Sequence, residues 1–129
     1  MRVREDFAAR AAAKSADTSR TELNALATHR SALVRRALAA NIAAPKSALE
    51  RLARDEDPQV RVAVASNPSS TSTALRTVMR APATGGFAGV ARRKALLAVA
   101  EHPNVTPDLL RALASDEDRL VARRAAARS

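Results

Sequence analysis

A chain of 129 residues fits one domain, and 47% apolar content with only two aromatic side chains, Phe7 and Phe87, points to a thin core of small aliphatic residues packed at close range. Cysteine is absent, which excludes disulfides, thiol nucleophiles and thiolate-held metal or iron–sulfur centres, and no apolar run nears the ~20 residues that span a bilayer. The formal charge of +9 favours solubility and attraction to polyanions such as nucleic acid or to an acidic protein face.

Along the chain the same short pattern returns. Leu23, Leu49 and Leu75 recur at a spacing of about 26 residues, as do Val34 and Val60. Ser19-Arg20-Thr21-Glu22 has the S-x-x-E form of a capping box, which predicts a helix carrying Leu23. Val34, Ala37 and Leu38 follow at helical spacing, and Asn41 is expected to close that helix. Leu49, Leu52 and Ala53 mark the next helix. The acidic turn Asp55-Glu56-Asp57 then meets Pro58, where Asp57 suits the N-cap and proline the first helical position. Val60, Ala63 and Val64 repeat the first helix, closed by Asn67-Pro68.

The step from Leu75 to its next counterpart, Leu110, is longer, and the extra length falls in Ala81–Gly89, which holds all three glycines. This segment is expected to loop outward or displace a neighbour. Beyond it Ala95 restarts the pattern, with His102 where Asn41 and Asn67 stood. Thr106-Pro107-Asp108 reads as a cap followed by proline, Leu110, Leu113 and Ala114 as a second-helix face, and Asp116-Glu117-Asp118 as another acidic turn. Val121 begins a last half unit in which Arg124 replaces Ala37 and Ala63, so a polar closing face is expected there.

Helices this short are unstable alone in water and must bury their faces on one another. The expected architecture is therefore all-α, a solenoid of about four and a half helical-pair units forming one domain over residues 1–129. The units run near Ala8–Leu33, Val34–Gln59, Val60–Lys94 with the insertion at 81–89, and Ala95–Leu120, with a half unit at 121–129.

The pattern D-P-x-V-R-x-x-V-A-x-N-P, then T-P-x-x-L-x-x-L-A, resembles the bacterial variant leucine-rich repeat (LRV). It extends over nearly the whole chain, best in Asp57–Leu75 and His102–Ala114, and is more distantly similar to HEAT and armadillo repeats. The resemblance implies a right-handed α-α superhelix of stacked short helices, and a binding role, since such repeats serve many partners. Some members of that family carry a cysteine-bound iron–sulfur module ahead of the repeats. A chain without cysteine cannot hold it, and no cofactor is expected.

Nothing in the sequence suggests an enzyme. No phosphate-loop, dinucleotide or H-E-x-x-H zinc motif occurs, and His29 and His102, the only histidines, sit in no nucleophile arrangement. The acidic triplets lie where helix caps are needed, and capping explains them better than acid–base chemistry or a metal. No catalytic or metal-ligating residue is therefore assigned. Candidate binding residues are cationic. Arg80, Phe87, Arg92, Arg93 and Lys94 surround the insertion and would form a contact patch for an acidic or phosphorylated partner, unless Phe87 folds back to fill the gap it opens. Arg35, Arg36 and Arg61 recur early in the first helices, while Arg51, Arg54, Arg76 and Arg111 recur in the second. That recurrence is either a stripe suited to a polyanion or a solvated position written repeatedly.

The expected function is a non-catalytic scaffold that binds an acidic protein partner. The alternative is nucleic-acid binding through phosphate contacts, against which stands the near absence of aromatics for base stacking. No signal-peptide h-region opens the chain, so a cytoplasmic protein with no membrane partner is expected.

Overall fold

The computed structural model describes the backbone of residues 2–81 and 86–129 and the side chains of 5–81 and 89–129. Among the described residues there are nine helices and no strand. They are α1 (Arg2–Lys14), α2 (Arg20–Leu26), α3 (Ala32–Ala39), α4 (Lys46–Leu52), α5 (Pro58–Ser66), α6 (Ser72–Met79), α7 (Gly86–Glu101), α8 (Pro107–Ala114) and α9 (Arg119–Arg128).

Local chemistry explains four of the starts. Ser19 Oγ accepts the Glu22 N–H at 3.2 Å, Thr71 Oγ1 the Ala74 N–H at 3.1 Å, and Asp57 and Asp118 accept from Gln59 and Leu120, each at 3.0 Å. Each cap satisfies an N–H that the first helical turn leaves without a partner. Thr106 departs from its expected role, because its hydroxyl turns to the Asp108 carboxylate and caps no backbone group.

The odd-numbered helices pack in succession, α1 on α3, α3 on α5, α5 on α7 and α7 on α9, while α2 meets α4 and α4 meets α6. One core lies between the two rows. Leu23, Leu49, Leu75 and Leu110 share it with Val34, Val60, Ala95 and Val121, so residues matched by sequence spacing become matched contacts. The architecture is all-helical and repeat-like.

A buried polar ladder ties each unit to the one before. Asn41 Nδ2 donates to the carbonyls of Ala13 (2.8 Å) and Ser15 (3.0 Å), while its Oδ1 accepts the Ala43 N–H at 2.9 Å. Asn67 repeats this on Ala39 (2.8 Å), Asn41 (2.9 Å) and Ser69 (2.9 Å). At His102 the imidazole copies the amide. Nε2 donates to the Asn67 carbonyl at 2.6 Å and Nδ1 accepts the Asn104 N–H at 2.9 Å, a pattern that assigns the hydrogen to Nε2. Arg128 takes the next rung, donating to the carbonyls of Ala100 (2.9 Å) and His102 (3.4 Å). Asn41, Asn67 and His102 were expected only to close helices. They also fasten helix ends across the stack, leaving no buried side-chain polar atom without a partner among the described residues.

The insertion departs from expectation. From Gly86 onward it is helical, and α7 reaches 16 residues against 8 in α3 and 9 in α5. Once past Pro82 the chain meets no breaker except glycine, and the alanines and arginines that follow favour helix. As a whole α7 packs against both α5 and α9. Arg124 is half-exposed and pairs with Glu101 of α7.

Candidate binding groove

Arginines and the acidic turns meet first, because the repeat sets one against the other. Arg35 on α3 donates from Nε to Asp55 Oδ2 at 2.8 Å and from Nη2 to Oδ1 at 3.3 Å. A further bond runs from its Nη1 to the His29 carbonyl at 2.7 Å. Both side chains are nearly buried, 12% and 8% exposed, so the pair is shielded from water and salt. Arg36 meets Asp57 at 2.9 Å. Arg92 and Arg93 on α7 make the same two pairs with Asp116 (2.7 Å) and Asp118 (2.6 Å). They do so from one helical turn earlier than the repeat spacing gives, a turn that only the lengthened α7 supplies.

These contacts set the charge states. At Asp57 burial pushes the carboxyl up, but bonds from Arg36 and the Gln59 N–H, with the nearby Arg36 and Arg35 charges, outweigh it and hold the group below its ordinary value. The Arg92 bond holds Asp116 down against burial, and the Arg93 bond does so for Asp118. Arg92 is in turn raised by its bond to Asp116. All four are locked in their charged forms near neutral pH.

Five of the cations singled out by sequence are thus engaged within the fold. Arg35, Arg36, Arg92 and Arg93 form ion pairs, and Arg61 donates to the carbonyls of Asp55 (2.6 Å) and Glu56 (3.3 Å). Arg80 and Lys94 are exposed, and the side chain of Phe87 lies outside the described residues. The four aspartates of the acidic triplets are likewise occupied, accepting turn and cap N–H groups and pairing with arginines.

A different surface gathers polar groups. An open groove of about 930 Å³ runs from the end of α2 across α4 and α6, lined as well by the turn after α2, the acidic turn after α4 and Arg35 of α3. Arg51 at the end of α4 and Arg54 in the turn just past it line the groove, exposed and meeting no carboxylate among the described residues. Around them stand the hydroxyls of Thr28, Ser47, Thr73 and Thr77. Several hydroxyl protons are already committed: Thr28 donates to the Ala25 carbonyl (3.2 Å), Ser47 to Asn24 Oδ1 (2.9 Å) and Thr77 to the Thr73 carbonyl (3.0 Å). Outward they offer lone pairs. Glu50, which accepts from Thr71 at 3.0 Å, and the exposed Glu56 add acceptors along the edges.

Arg51 and Arg54 could be found by sequence as recurring second-helix cations, but the hydroxyls could not. Serine and threonine scattered along short helices carry no periodic signal of their own, and only stacking brings Thr28, Ser47 and Thr77 to one trough. Compared with family models, curated proteins and solved structures, the chain matches none of them.

Proposed function

We propose that the protein is a non-catalytic scaffold, an LRV-like right-handed solenoid whose groove across α2, α4 and α6 holds an acidic segment of a protein partner. The observation that carries this reading is the pair Arg51 and Arg54, two exposed guanidinium groups lining an open trough and meeting no carboxylate among the described residues, whereas Arg35, Arg36, Arg92 and Arg93 are held in ion pairs. Stacked repeats build such extended surfaces from successive units, and a groove of this size accepts a chain segment. Nucleic acid fits it less well. A phosphate backbone brings only negative charge and acceptors, and would meet Glu50, Glu56 and lone pairs along the same trough.

The test compares labelled polyglutamate with random duplex DNA on the intact protein and on Arg51→Ala/Arg54→Ala. Polyglutamate should bind and lose about tenfold or more in affinity in the double variant. Duplex DNA that binds more tightly than polyglutamate, with affinity falling steeply in salt and untouched by the double variant, would overturn the reading.

A further inference from the structure

Arg51 lies in the last turn of α4 and Arg54 in the turn just past it, where Ala53 keeps helical angles and the Arg54 N–H bonds the Arg51 carbonyl at 3.1 Å, so their Cβ atoms stay about 5–6 Å apart as on a helix. Along an extended chain, side chains on the same side recur at every second residue, roughly 6.5–7 Å apart. The second spacing is the longer by about an ångström, a difference that two long, flexible arginine side chains cover. Acidic residues at alternate positions of an extended segment would each meet one guanidinium, whereas neighbouring acids point to opposite sides.

Hydrogen bonding constrains the ligand further. The groove offers donors, the two guanidinium groups, and acceptors beside them, the lone pairs of Thr28, Ser47 and Thr77 whose protons are committed within the protein. A peptide main chain supplies what those acceptors lack, an N–H at every non-proline residue. Free carboxylates or phosphates supply none. We propose that the groove binds an extended peptide with acidic side chains at alternate positions, the carboxylates on Arg51 and Arg54 and main-chain N–H groups on the hydroxyls. This inference rests on the acidic-partner reading and narrows it to spacing and backbone.

The experiment uses the full chain and three short fluorescent peptides of identical composition. One carries glutamates at alternate positions, a second carries them as a block, and a third has the alternating order with N-methylated residues between the glutamates. The alternating peptide should bind about tenfold more tightly than the other two, and Arg51→Ala or Arg54→Ala should each remove most of that preference. Arg111→Ala, an exposed cation on α8 outside the groove, should leave it unchanged. Equal affinity for all three peptides, still dependent on Arg51 and Arg54, would overturn the extended-chain inference and keep the acidic groove. Binding indifferent to both arginines, or no binding of any acidic peptide, would overturn both.

Discussion

At the scale of single residues, His102 shows how one position can change chemistry and keep its job. The imidazole occupies the rung held by Asn41 and Asn67, with Nε2 in place of the amide donor and Nδ1 in place of the amide oxygen. It is 3% exposed, so whatever replaces it must satisfy the Asn67 carbonyl and the Asn104 N–H without help from bulk water. His102→Asn restores the side chain of the other rungs and should cost little. His102→Leu fills the space yet strands both backbone groups, and should lower the unfolding free energy by about 1–3 kcal/mol in urea denaturation. Equal stability of the two variants would mean that packing alone holds this turn. The position was legible in sequence, since a histidine stood where asparagines recur. The bond across units was not, because a turn-closing asparagine and a buried cross-linking one are written with the same letter.

Among the elements, α7 departs most from the repeat, and it marks where sequence reasoning stopped. Leucine and valine spacing located the helices of the regular units, because a core-facing residue must return at each turn and each repeat. Three glycines in Ala81–Gly89 instead suggested a loop, yet helix begins at Gly86. The alanines and arginines that follow the glycines favour helix strongly enough to carry it back to Gly86. The candidate site was legible in the same partial way: which cations recur was visible, while which of them face Asp55, Asp57, Asp116 and Asp118 depended on how the units stack. Gly89 remains a weak point in this helix. A Cβ built there meets nothing within 4 Å, and the residue is exposed. Gly89→Ala should therefore stabilise the protein by about 0.5–1 kcal/mol through the reduced freedom of the unfolded chain, seen as a higher thermal midpoint. A lower midpoint would show that the backbone there needs glycine.

For the molecule as a whole, the charge network links units that the leucine core already joins, and it gives their association a pH dependence. Arg36–Asp57 ties α3 to the turn before α5, and Arg92–Asp116 and Arg93–Asp118 tie α7 to the turn before α9. The carboxyls of Asp57, Asp116 and Asp118 all sit below their ordinary value near 3.8 in the folded chain. A group whose folded value is depressed contributes fully at pH above its unfolded value, and that contribution is lost as pH falls through the folded one. Stability should therefore be insensitive to these groups above about pH 5 and should decline below about pH 4, measured as urea midpoints at successive pH values. Asp116→Asn separates the charge from the turn hydrogen bond. Its amide oxygen can still accept the Asp118 N–H that Asp116 Oδ1 accepts at 2.9 Å, but it no longer titrates or pairs as an anion with Arg92. That variant should start less stable at neutral pH and lose less on acidification than the parent, so the two curves converge at low pH. Parallel curves would place the acid sensitivity elsewhere and leave Arg92–Asp116 as a contact of shape alone.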